Sequence, residues 1–178
     1  MTKFIFKQLF IAFKQIGSKL HFEVLNMQNN KINSLGPLIK VANNLIEKEL
    51  NNNMRQLFTE FNLTGPQVAL LTYLYEAQSR TVSQKELETV FVISHPTIRS
   101  IVKRLEQRQL INISTLKSDR RQTILSLSAS GSTLIKNNIG KIYQVMNHIN
   151  QKITQDITPN EQQQLIILVQ KIVHNFTR

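Results

Sequence analysis

Apolar side chains recur along this chain mainly at helical spacing. Leu35, Leu38, Ile39, Ala42, Leu45, Ile46 and Leu50 follow at intervals of three and four, which predicts a long helix from about Leu35 to Phe58. The Asn51-Asn52-Asn53 run is where that helix would fray or bend. Three capping boxes follow, each a hydroxyl with Gln or Glu three residues on. Thr64-Gly65-Pro66-Gln67 opens a helix to about Glu76 that buries Val68, Leu71 and Leu74, and Ser83-Gln84-Lys85-Glu86 opens a short one to about Phe91. Thr158-Pro159-Asn160-Glu161 opens the last helix, with an apolar stripe of Leu165, Leu168, Val169, Ile172, Val173 and Phe176. In between, Ser94-His95-Pro96 starts a helix to about Arg108, Pro being tolerated in a first turn and Ser serving as its cap.

After Arg108 the period changes to two. Ile111, Ile113 and Thr115 alternate with Asn112 and Ser114, and Thr123, Leu125 and Leu127 alternate with Ile124 and Ser126. The polar stretch from Lys117 to Gln122 joins them, so the pattern predicts a β-hairpin. A long helix then carries Leu134, Ile135, Ile142, Val145, Met146, Ile149 and Ile153 on one face. The expected fold is mainly α with a small β-hairpin wing. Residues 1–30 form an N-terminal extension and 31–178 the domain proper, with helices in 31–60 and 129–178 flanking a unit at 63–127.

Composition changes the picture through charge. The 178 residues hold 22 Lys+Arg against 11 Asp+Glu, a net +11 with pI about 10.1, although charged residues are only 19% of the chain. Such a balance points to nucleic acid, an anionic membrane surface or acidic ligands. The absence of cysteine excludes disulfides, thiolate zinc sites and a thiol-oxidation switch. Four histidines without an HExxH or a close pair argue against a metal site. No nucleophile is paired with a base, no carboxylates cluster, and five glycines form no phosphate loop, so no enzyme chemistry and no cofactor is expected. No apolar run reaches the length of a membrane span. With no export signal evident, the expected location is cytoplasmic.

Residues 1–26 differ in kind. They hold five of the nine Phe, and Lys3, Lys7, Lys14 and Lys19 against Glu23. Three readings stay open: an appendage or over-extended reading frame with the true start at Met27, an extra helix on the body, or a basic amphipathic helix on a membrane surface. The last would make the chain a basic membrane-surface or structural interaction protein, the alternative to a DNA-binding one. No stable membrane association is expected.

Location of charge favours DNA. In the helix after Ser94, Ile98, Ile101, Val102 and Leu105 form the buried stripe, leaving Thr97, Arg99, Ser100, Lys103 and Arg104 outward. Arg99 and Lys103 lie at i, i+4, where like charges repel unless a polyanion neutralises them. From Arg99 to Arg121 there are seven basic and two acidic residues, +5 of the total. A lone basic helix would be read as a solvated face. Here a short capped helix precedes it and a hairpin with an Arg-Arg tip follows.

From about Leu35 onward the chain resembles the MarR (multiple antibiotic resistance regulator) family of winged helix-turn-helix repressors. The family's D-x-R-x5-L-[TS]-x-x-G wing pattern reads here as Asp119-Arg120-Arg121, then Leu127-Ser128-Ala129-Ser130-Gly131. Leu63-Thr64 with Gln67, Ser83-Gln84-Lys85-Glu86-Leu87 and Arg104-Leu105-Glu106 also match. Two departures stand out. Gln109 occupies a position that is usually Gly, where a left-handed C-cap is free of strain, and Asn112-Ile113 replaces the charged opening of the hairpin.

The resemblance implies a homodimer that reads a pseudo-palindromic operator in double-stranded DNA and acts as a repressor. Ser94, His95, Thr97, Arg99, Ser100, Lys103 and Arg104 are then candidates for base or phosphate contacts. At the wing, Arg121 would enter the minor groove with Asp119 steadying it, and Arg120 and Lys117 would meet phosphates. A turn-forming role for Asp119 is compatible with this. Many members release DNA when an anionic or phenolic effector enters the cleft beside the dimer helices. No residue pattern here identifies such a molecule, and Tyr73, Tyr75, Tyr143, Arg55, His148 and His174 are better read as packing or surface residues.

Overall fold

Local hydrogen bonds at the helix starts set most of the element boundaries. The computed structural model describes residues 34–78, 80–116 and 119–177, with the side chains of 116 and 119–121 left aside. Helix α1 (Leu35–Leu57) runs through the asparagine triplet without a break. Asn53 Nδ2 donates to the Glu49 carbonyl at 2.8 Å, and Asn51 Oδ1 accepts from Gly65 N at 2.7 Å. Asn51 therefore ties the helix to the next element and Asn53 bonds back within the helix, so the triplet does not fray it.

Helix α2 (Gly65–Glu76) starts at Thr64, whose backbone N donates to Gln67 Oε1 at 2.9 Å, with Gln67 itself buried. A two-residue strand β1 (Val82–Ser83) leads into α3 (Gln84–Phe91), where Ser83 Oγ accepts from Glu86 N at 3.1 Å. Helix α4 (His95–Gln107) follows after a three-residue link, Val92 to Ser94. Ser94 stands at its cap position, but its hydroxyl pairs with Thr97 Oγ1 at 2.9 Å and not with a backbone N–H. The cap expected from sequence is thus corrected: the neighbouring hydroxyl competes for the same oxygen.

Strands β2 (Ile111–Leu116) and β3 (Asp119–Leu127) pair antiparallel, Ile111 opposite Leu127 and Thr115 opposite Thr123, with an irregularity after Thr115. β3 reaches further toward the tip than alternation predicts. β1 adds to its other edge, Val82 opposite Leu125, so the sheet has three strands in the order β1-β3-β2. Two residues are too few to show a period, which is why the hairpin alone was legible. Helices α5 (Ala129–Ile153) and α6 (Pro159–Thr177) complete the chain, α6 opening on the expected reciprocal box between Thr158 and Glu161.

The chain divides into two units, Met1–Ile46 and Glu47–Arg178. Of the first, the described residues are 34–46, a helical stretch whose Leu35, Leu38, Ile39, Val41 and Leu45 are exposed. The second holds the core: Met54, Phe58, Leu63, Val68, Leu71, Leu74, Leu87, Ile98, Val102, Leu105, Leu110, Leu125, Ile135 and Ile142 are all buried in one cluster. The predicted stripes of α2 and α4 lie in it. The stripe of α6 does not: among its residues only Ile172 is half-buried, and Leu165, Leu168, Val169 and Val173 are exposed.

Candidate nucleic-acid interface

The exposed side of α4 is built by what its other side must do. Ile98, Val102 and Leu105 are buried in the core, with Ile101 half-buried against it. At 3.6 residues per turn, that leaves His95, Thr97, Arg99, Ser100, Lys103 and Arg104 in solvent, and Ser94 before them is exposed too. The structure thus brings seven of the eleven candidate residues onto one face. Arg99, Lys103 and Arg104 form no ion pair with any described residue. Three cations with no ion-pair partner among the described residues make this face an anion-attracting surface.

The other four candidates sit at the wing. Asp119, Arg120 and Arg121 belong to β3, but their side chains lie outside the described residues, as does all of Lys117. The segment 1–26, read as a candidate membrane-surface helix, also lies outside them. No helix among the described residues is long and apolar enough to cross a membrane.

Two residues escaped the sequence reading. Glu88 Oε1 sits 2.7 Å from His95 Nδ1, and the buried Gln84 donates to the same Glu88 oxygen at 3.0 Å. Gln84 first and His95 second hold the Glu88 carboxyl below its ordinary value of 4.5. The amide, the carboxylate and the imidazole join the start of α4 to α3. Periodicity could not reveal this, because both α3 residues look like ordinary helix-surface positions.

A second polar set lies behind α3. Tyr73 Oη donates to Glu86 Oε1 at 2.6 Å, Arg80 reaches that oxygen at 2.7 Å, and the Arg80 guanidinium stands 5.9 Å from the Tyr73 ring centre. Beside it, Leu50, Met54, Ala69, Thr72, Tyr73, Phe91, Ile142, Tyr143 and Met146 line an apolar cavity of about 280 Å³. The Thr72 hydroxyl is buried with no partner among the described residues, and Tyr143 donates to Glu76 at 2.6 Å. Tyr75 lines a separate and larger hollow of about 620 Å³ with Arg80, Val82 and Leu125.

A capped helix, a short turn, an exposed basic helix and a three-stranded wing together define a winged helix-turn-helix protein. A MarR family model matches residues 61–122, about a third of the chain. The organic hydroperoxide resistance transcriptional regulator of Bacillus subtilis is 29% identical over 87 residues, which are 49% of this chain and 58% of that protein. The chain thus spans little more than half the length of this curated relative. The structure of a MepR–DNA complex from S. aureus shares the fold with TM-score 0.68 and 19% identity, over 80% of this chain and 98% of that one. Bordetella bronchiseptica BpsR, whose structure concerns regulation of DNA binding by 6-hydroxynicotinic acid, has TM-score 0.64 and 21% identity over 82% and 96%.

Proposed function

We propose that the protein is a dimeric, DNA-binding transcriptional repressor, a binding protein and not an enzyme, working in the cytoplasm where its DNA lies. The carrying observation is the outward face of α4, where Arg99, Lys103 and Arg104 stand exposed with no carboxylate partner among the described residues. Ser94, His95, Thr97, Ser100 and the wing residues Lys117, Asp119, Arg120 and Arg121 complete the proposed contact set. Phosphate contacts would set register and base contacts would set sequence.

The apolar surface of α6 supports the dimer. A helix that leaves Leu165, Leu168, Val169 and Val173 in water is unusual for a monomer and suits burial against a second copy. Two copies would place two α4 helices about 34–36 Å apart, one turn of DNA. The cavity between Met54, Thr72, Tyr73 and Tyr143 is the proposed seat of an aromatic effector, its apolar walls taking the ring and Thr72 a polar group.

Footprinting on the DNA upstream of the protein's own gene tests the reading. The expected result is a protected inverted repeat, released by a phenol or aromatic carboxylate. No protection at low salt would overturn it.

A further inference from the structure

A small cleft of about 230 Å³ lies where α3, the start of α4 and β3 meet, lined by Ser83, Gln84, Lys85, Glu88, His95, Gln122 and Thr123. Its walls offer hydroxyl and amide donors with one cation and one anion. The donor set suits a phosphate, yet Lys85 and Glu88 cancel in charge.

The imidazole decides that balance. Glu88 is held as carboxylate, so the 2.7 Å contact requires His95 Nδ1 to carry the proton and donate. The Gln84 amide, 3.3 Å from the same nitrogen, then cannot donate to it and serves Glu88 at 3.0 Å instead. With its tautomer set in this way, His95 has Nε2 left over, and the side chain is 62% exposed. In the neutral ring Nε2 is a lone pair, which repels a phosphate oxygen. In the imidazolium it is a donor, and the cleft gains a net positive charge.

We propose that this cleft is a proton-linked seat for a DNA phosphate, in which Glu88 orients His95 and the imidazolium donates from Nε2 beside Lys85. The charged groups facing His95 are Glu88 and Lys85 from α3 and, one turn along its own helix, Arg99; from β3 the described cleft residues, Gln122 and Thr123, are uncharged. The proposal rests on the DNA-binding reading and adds regulation to it: DNA binding takes up a proton, so affinity is greatest in acid and falls as pH rises, read between about pH 5 and 8.

The test is the affinity of the full-length protein for a duplex recovered from a randomised pool, measured across that range for wild type, His95→Gln and Glu88→Gln. Helical circular dichroism confirms that each variant is folded. Wild-type affinity should rise toward acid, at most about tenfold per pH unit for each proton taken up. His95→Gln should flatten the dependence. Glu88→Gln should bind more tightly than wild type at the alkaline end, because Lys85 is then unopposed. A role for Glu88 in merely bracing α4 would instead weaken that variant at every pH, and this result overturns the proposal. So does a pH-flat wild type that still binds, or an unchanged slope in His95→Gln. Failure to recover any binding duplex overturns the DNA reading itself, and the proposal with it.

Discussion

Gly131 packs so closely under Leu110 that a Cβ on it would overlap the Leu110 carbonyl oxygen and stand 2.9 Å from the carbonyl carbon. The approach joins the first turn of α5 to the turn between α4 and β2. Ser128 Oγ accepts from Gly131 N at 3.0 Å, and Ser128 N donates to that same Leu110 carbonyl at 3.1 Å. Replacing Gly131 with Ala must push α5 away from the wing base or tilt Leu110, which is buried. The expected cost is about 1–3 kcal/mol, as for other overpacked sites. Chemical denaturation of Gly131→Ala against wild type checks it, and equal midpoints would refute the close-approach account.

Val92 carries strain of a different kind. It ends α3 with φ 51 and ψ 44, in the left-handed region, and its side chain is 84% exposed. A β-branched residue there costs on the order of 1–3 kcal/mol, and little packing is at stake. Val92→Gly should therefore raise stability by about 1 kcal/mol after allowing for the greater freedom of the unfolded chain. An increase in thermal midpoint without change in helix content is the expected observation.

Acid should weaken the link between α2 and α3. The Tyr73 phenol, then Arg80, holds the Glu86 carboxyl below its ordinary 4.5, against the opposing pull of burial. A carboxylate whose pKa is depressed by folding contributes stability above its unfolded value, and loses it as pH falls toward the folded one. Tyr73→Phe removes the leading donor while keeping the ring that packs edge-on to Phe91 at 5.7 Å. The variant should be less stable than wild type by about 1 kcal/mol at neutral pH. The two should converge in acid below 4.5, and parallel stability–pH curves would count against this assignment.

Much of this architecture is written in the chain's periodicities, and the exceptions have physical causes. Helix boundaries at Leu35, Thr64, Ser83 and Thr158 follow from stripes and caps, which are local. Gln109 was legible as a misfit where glycine is usual. It adopts φ 57, and Ser128 and Ser130 each donate to its carbonyl at 2.7 Å. The sequence could flag the missing glycine but not the two hydroxyls that hold the turn, since they come from the far side of the hairpin. β1 was hidden by its length. At the candidate interface, outward positions of α4 followed from helical geometry, whereas the Glu88–His95 contact depends on how two helices meet.

Salt and the wing test the proposed DNA reading together. With about six to ten phosphate contacts, log K should fall with log[salt] at a slope of about −5 to −9. Arg121→Ala should weaken binding to the protected inverted repeat sharply while leaving the protein folded. Arg99→Ala and Lys103→Ala should each cost affinity from the exposed face of α4. Unchanged affinity in Arg121→Ala would remove the wing from the contact set, and a flat salt response would remove DNA.

The exposed stripe of α6 yields the last test, one that separates assembly from folding. Leu168 is 56% exposed in the single chain, so a charge there should be harmless to a monomer's own core. In the proposed dimer the same position meets the partner, and a buried unpaired carboxylate costs several kcal/mol. Leu168→Glu should therefore sediment as a folded monomer at concentrations where wild type sediments as a dimer. Its affinity for an inverted repeat should drop toward that of one half-site, since a single protomer reaches only one major groove. A variant that still sediments as a dimer would move the interface away from α6. A wild type that sediments as a monomer would leave the stripe without the partner proposed for it.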